Sequence, residues 1–289
     1  MTMTTTDLTP IEPSDVFILV IPYKVDESYL QSGDGSSQIS ATINAPRNDY
    51  AQSAAYALVN GILHIFGGYS DYKKIARFDY CSFNELTVRL NEKRESGHAA
   101  LSIENGKKAL ICFGHSGDSR RTCEIFDGST SVSTFAPDWS HQYGGLGLYK
   151  NKPASVGCYN EKHEKAETLS STGWTALPNF RQISEHILVG LANQSLLLIG
   201  GGYGGAVQSG IWQLKDENWN QIGELLQADR YGSAIYIGRS IYYFGFYSKA
   251  IQRLDFTETE DLQTVAQIGN QPSQYFLPVL FQTVPNYCI

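Results

Sequence analysis

Hydrophobic positions in this chain fall into short runs, and five of them end in a glycine-containing turn: Ile65-Phe66-Gly67-Gly68-Tyr69, Cys112-Phe113-Gly114-His115-Ser116, Val156-Gly157-Cys158-Tyr159, Ile199-Gly200-Gly201-Gly202-Tyr203 and Tyr243-Phe244-Gly245-Phe246-Tyr247. The residues after the turns stand at positions 69, 116, 159, 203 and 247, a spacing of 43 to 47 residues. That period belongs to propeller blades rather than helical solenoids. Ahead of each run lies a stretch of small residues, at 49–54, 96–101, 143–148, 186–191 and 231–236. These are predicted innermost strands, because blades converging on an axis leave room there for little more than Gly, Ala and Ser.

Between the small-residue stretch and the apolar run come hairpin turns at Asn60-Gly61, Asn105-Gly106, Asn151-Lys152, Asn193-Gln194 and Gly238-Arg239. The first two carry the type I′ signature. Third strands are predicted at 76–79, 124–127, 166–169, 210–214 and 251–255. Fourth strands open with Trp174 and Trp219, with Phe83 and Phe135 in the same slot of earlier repeats. Each repeat thus has four strands. Residues 84–96 have helix-forming letters but sit where a fourth strand and its exit loop belong.

The chain ends supply one more repeat. Residues 275–282 read as a first strand with nothing after it, while 17–23 read as a second strand whose Tyr23 lies one period before Tyr69, and 38–43 as an outer strand. The expected fold is all-β: a six-bladed propeller whose last blade is closed by N- and C-terminal strands, which removes exposed sheet edges. Residues 1–14 are expected to be a disordered tail and 15–289 a single domain.

This set of features resembles the kelch repeat, in which a double glycine ends the second strand and a tryptophan lies further along the repeat. The resemblance spans at least residues 47–266, and an intact Gly-Gly survives only at Gly67-Gly68 and Gly200-Gly201. It implies that loops after each second strand and before each first strand meet at one rim. Kelch adaptors grip peptide segments there. By that resemblance the partner-binding candidates are Tyr23, Tyr69, Tyr159, Tyr203 and Tyr247 after the turns, His115 beside Ser116, and Arg47, Ser96, His141 and Arg230 from the other loops, with Asn48, Gln142, Glu185, Tyr231 and Gln274 nearby. Tyrosine offers rigid contact area with a hydroxyl tip, and arginine forks onto carboxylates. The expected function is a protein-interaction module of unidentified partner that performs no chemistry. Some kelch-like propellers are copper-radical oxidases or sugar mutarotases, so the alternative is a carbohydrate-binding or mutarotase-like propeller using the same tyrosines as stacking platforms.

Composition narrows the partners. With a net charge of −7 and no basic run longer than Lys73-Lys74, Lys107-Lys108 or Arg120-Arg121, the chain has no face suited to nucleic acid. The longest apolar stretch, 16–22, is far short of a membrane span. The first residues lack the basic and apolar regions of a secretion signal, so a cytoplasmic monomer is expected, secreted only if this is an excised domain. Six histidines show no compact ligand spacing, so no metal or cofactor is expected. Among five cysteines, Cys112 and Cys123 fall on adjacent strands; a disulfide there is geometrically possible, but buried free thiols are the expectation.

Overall fold

The computed structural model describes residues 11–115, 117–161 and 163–289. Six four-stranded antiparallel sheets form the blades. From axis to periphery, the second blade runs Ala55–Val59, Ile62–Phe66, Ile75–Asp79 and Ser82–Glu85, and the third Ala99–Ile103, Lys108–Cys112, Cys123–Phe126 and Ser131–Thr134. The fourth comprises Gly147–Tyr149, Lys152–Val156, Ala166–Ser170 and Gly173–Leu177. The fifth comprises Ile187–Gly190, Leu196–Ile199, Gly210–Lys215 and Asn218–Glu224, and the sixth Ser233–Ile237, Ser240–Phe244, Ala250–Phe256 and Leu262–Asn270. Closure follows the expected scheme. In the first blade the C-terminal strand Val279–Thr283 is innermost and pairs with Phe17–Ile21, followed outward by Tyr29–Ser32 and Gln38–Ser40.

Each gap between neighbouring blades holds its own apolar core, so the fold is six interfaces rather than one centre. Leu19, Leu63, Ile65, Phe78 and Val279 join the first and second blades; Val59, Phe66, Ile111 and Phe126 the second and third; Val16, Ile18, Tyr242, Phe244 and Leu280 the sixth and first. Within these cores the chain crossing between blades is pinned by one recurring device. Glu124 accepts from the Asn91 N–H at 2.8 Å, Glu167 from the N–H groups of Asp138 and Trp139, both at 3.1 Å, and Gln252 from Gln227 at 3.2 Å. All three sit at the same register of their third strands. Arg94, fully buried, adds an ion pair to Glu124 at 3.1 Å.

Several local expectations shift. Inner strands begin one to six residues later than the small-residue stretches, and a left-handed residue precedes each strand. Ser131, not Phe135, holds the slot of Phe83 and Trp174; Phe135 instead accepts the Trp174 indole N–H at 3.0 Å through its carbonyl. Residues 84–96 do keep to expectation, forming the end of a fourth strand and its exit loop with no helix. The free-thiol expectation is overturned: Cys112 and Cys123 face each other in register and are bonded, and a second disulfide joins Cys81 to Cys288. Their Cα atoms lie 4.2 and 5.5 Å apart, near or within the reach of a disulfide. Cys158 remains a buried thiol. Of the predicted tail, residues 1–10 lie outside the described residues, as does Ser116, while Pro13–Asp15 form a 3-10 turn.

Candidate functional site

One residue in the left-handed region leads into every inner strand: Ser53 (φ 54°), Gly97 (64°), Tyr143 (55°), Glu185 (64°), Tyr231 (57°) and Leu277 (45°). Non-glycine residues rarely adopt that conformation, and it concentrates at functional sites. The backbones link around the axis. Tyr143 N–H donates to Gly97 O at 3.0 Å, Glu185 to Tyr143 O at 2.7 Å, Tyr231 to Glu185 O at 2.9 Å and Leu277 to Tyr231 O at 3.0 Å. This chain of hydrogen bonds joins five of the six blades along the mouth of the propeller. The post-glycine residues are tied to it: the N–H groups of Tyr69 and Tyr159 donate to Gln52 O and Gln142 O, both at 3.0 Å.

Side chains from this ring make one continuous aromatic surface. Tyr143 meets Tyr159 and Tyr231 with ring centroids 5.8 and 5.5 Å apart, Tyr231 meets Phe276 at 4.8 Å, and Phe246 bridges Phe276 and Tyr247 at 5.7 and 5.0 Å. Among them sits a charged cluster. Tyr231 donates its hydroxyl to Glu185 Oε1 at 2.5 Å, Arg230 pairs with Glu185 Oε2 at 3.0 Å, and the other arm of Arg230 donates to the Tyr247 hydroxyl at 2.8 Å. The Glu185 side chain is only 1% exposed. Burial, then the bond to Glu185, holds the Tyr231 hydroxyl far above its ordinary pKa, so it stays a proton donor. Burial opposes the charge on Arg230, yet its bond to Tyr247 and the charge of Glu185 outweigh that and raise its pKa. Beside the cluster lies a cavity of about 350 Å³ lined by Tyr159, Asn160, Gln182, Glu185, Tyr203 and Arg230, among others.

The sequence-derived candidates divide. Tyr69, Tyr159, Tyr203 and Tyr247 are 43% to 47% exposed and open to a ligand. Tyr23 is half-buried under the Lys24 ammonium, 5.7 Å from its ring, and Arg47 is exposed and bonded to Asp49. His115 is exposed, with Nδ1 2.6 Å from Gln142 Nε2. Arg230 stands at the centre of the site. Two candidates are withdrawn from the surface: Ser96 is buried against Tyr143, and His141 is fully buried with Nδ1 on Gly157 O and Nε2 on Glu167, both at 2.9 Å. Tyr143, Phe246 and Phe276 were not singled out as contact residues. Nothing in a sequence marks a tyrosine as the left-handed residue of a mouth ring.

No family model matches the chain, and no curated protein does. Solved structures do. The chain is similar to YjhT, with a TM-score of 0.68 at 14% identity over 92% of this chain and 100% of that one. It is also similar to a fungal alcohol oxidase of the AA5 family in complex with copper, with a TM-score of 0.60 at 13% identity over 92% of this chain and 66% of that one. Identities this low establish the six-bladed fold alone. The second neighbour still corrects one expectation: the same architecture carries oxidase chemistry there, so the reading of this propeller as performing no chemistry does not stand. Copper itself is not carried over. Among the described residues no three of His, Cys, Asp and Glu converge as a metal-binding set. No helix is long and apolar enough to cross a membrane.

Proposed function

We propose that this propeller is carbohydrate-active, binding a reducing sugar at the mouth and exchanging its anomers. The observation that carries the reading is the Tyr231–Glu185–Arg230–Tyr247 chain, centred on the buried Glu185 carboxylate, beside the tyrosine-lined cavity of about 350 Å³. Exposed tyrosines alone would suit a peptide equally well. A buried carboxylate in a short hydrogen bond with a phenol is a feature that proton transfer uses and peptide docking does not need.

Cavity size and lining fit a small polar ligand with apolar faces. Tyr159 and Tyr203 offer rings to the sugar face, and Asn160, Gln182 and Ser184 offer hydrogen bonds to hydroxyls. For ring opening, Glu185 accepts the proton of the anomeric hydroxyl while Tyr231 donates one to the ring oxygen as the carbon–oxygen bond breaks. Closure on the opposite face reverses both transfers, and Arg230 offsets the negative charge passing between the two groups. The paired glycines keep the kelch resemblance as part of this reading. The two disulfides suit an oxidising compartment rather than the cytosol.

Anomer-exchange NMR on a panel of reducing hexoses and N-acetylamino sugars tests the reading. Exchange above the buffer rate, abolished by Glu185→Gln and strongly reduced by Tyr231→Phe, is the expected result. A buffer-level rate for every sugar, with no thermal stabilisation, would return the exposed tyrosines to the peptide reading.

A further inference from the structure

Asn193 is the one asparagine in the chain followed two residues later by serine or threonine, in Asn193-Gln194-Ser195, and the residue between is not proline. That pattern is the acceptor for N-linked glycans. A glycan is bulky and hydrophilic, so the folded chain must present the asparagine on its surface, clear of any contact the fold needs.

The triplet lies in the turn between the first two strands of the fifth blade, Ile187–Gly190 and Leu196–Ile199. Loops that precede first strands and follow second strands build the mouth, so this turn belongs to the opposite end of the propeller. Ala192, Asn193 and Gln194 are all exposed. Neighbouring blades fix the backbone. Glu260 of the sixth accepts the Ala192 and Asn193 N–H groups at 2.9 and 2.8 Å, and the Gln194 carbonyl accepts the Lys150 N–H of the fourth at 2.8 Å.

The Asn193 amide is oriented as well. The Ser195 N–H can only donate, so the atom 3.0 Å from it is Oδ1, which also accepts the Ser195 hydroxyl at 2.6 Å. Gln213 Nε2 donates to that hydroxyl at 2.9 Å, which directs the hydroxyl proton to Asn193. Among the described residues no hydrogen bond reaches Nδ2, the atom that carries a glycan, so a sugar there displaces no internal contact.

The two disulfides point the same way independently, because they suit the oxidising lumen in which secreted chains receive their glycans. We propose that Asn193 carries an N-linked glycan, projecting from the end opposite the mouth and leaving the mouth open. In the transfer, Nδ2 attacks the anomeric carbon of an oligosaccharide linked to a lipid diphosphate. A carbon–nitrogen bond forms as the bond to the diphosphate oxygen breaks; the lipid diphosphate leaves, and the amide loses one proton.

The test is peptide-N-glycosidase digestion in oxygen-18 water followed by peptide mass spectrometry, on the protein from its natural source and on the whole chain secreted by a eukaryotic cell. Asn193 is expected to be recovered as oxygen-18 aspartate in both, with the intact protein losing the mass of a glycan. Asn193→Gln is expected to abolish that mass shift. Ser195→Ala removes a hydroxyl that also serves Gln213, so Ser195→Thr, which keeps the hydroxyl and the acceptor pattern, is the matched control and should retain the glycan. Unmodified Asn193 in the natural protein, or a glycan that persists in Asn193→Gln, would overturn the proposal. None of these outcomes depends on chemistry at the mouth.

Discussion

At the scale of the residue, the close packing of inter-blade loops on strand ends sets what each position tolerates. Gly157 shows the limit: it has φ 64°, and a Cβ there would stand 2.1 Å from the Ile183 carbonyl oxygen, a backbone atom that cannot swing aside. Gly61 has φ 77° with nothing within 4 Å. Gly61→Ala is therefore expected to cost about 1 kcal/mol from backbone strain alone. Gly157→Ala adds overpacking and should cost roughly 2–4 kcal/mol. Urea titration of both variants checks this; equal losses would mean that the carbonyl contact carries no weight.

Buried histidines make a second residue-scale prediction. His98 and His186 are held neutral by burial, down to about pH 3. In the unfolded chain each takes up a proton near pH 6.5. The unfolded state therefore binds more protons below that value, and stability, complete above pH 6.5, falls as pH falls toward 3. By pH 5 the loss is about 2 kcal/mol for each histidine. Denaturant midpoints measured from pH 8 to pH 4 should slope accordingly, and His98→Leu with His186→Leu should flatten the slope. An unchanged slope in the double variant would assign the pH dependence to other groups.

At the scale of the element, the two disulfides do different work. Cys112–Cys123 spans 11 residues between paired strands of one blade, whereas Cys81–Cys288 spans 207 residues and ties the C-terminal segment to the second blade. The Thr42 N–H donates to Cys288 O at 2.7 Å beside it, so the bond secures the seam where the propeller closes. Loop-closure entropy assigns about 5 kcal/mol to the long loop and about 3 to the short one. Replacing Cys81 and Cys288 by Ser should therefore lower Tm more than replacing Cys112 and Cys123, as calorimetry under non-reducing conditions would show; the reverse order would contradict a seam-locking role.

Strands and turns were legible because their signals are local. Asn60-Gly61 and Asn105-Gly106 both have the paired positive φ of a type I′ turn, and the period carried across blades whose glycines or tryptophans were lost. Where the third blade lacks the usual glycine, Phe113 itself takes the left-handed position at φ 69°. The mouth was legible only in part. Repetition pointed to the post-glycine tyrosines and to the loops containing Arg230, Tyr231 and Glu185. Their joining into one hydrogen-bonded cluster depends on six chain crossings meeting around an axis, which no local pattern encodes. His141 shows the converse: its loop position suggested a rim residue, but the Glu167 of its own blade draws it inside.

At the scale of the whole molecule, a propeller gathers residues distant in sequence at one mouth. Glu185 and Tyr231 lie 46 residues apart, one blade, yet share a 2.5 Å hydrogen bond to a buried carboxylate. Preorganised donors in such a site need no reorganisation during reaction. The central claim is that this pair moves protons on a sugar held by the surrounding tyrosines. Two-dimensional exchange NMR on the wild-type protein and on folded Glu185→Gln tests it most directly. The account predicts anomer cross-peaks that build up faster than in buffer for at least one sugar with wild-type protein, and at the buffer rate with the variant; acceleration that survives in Glu185→Gln, or none with any sugar, would contradict it.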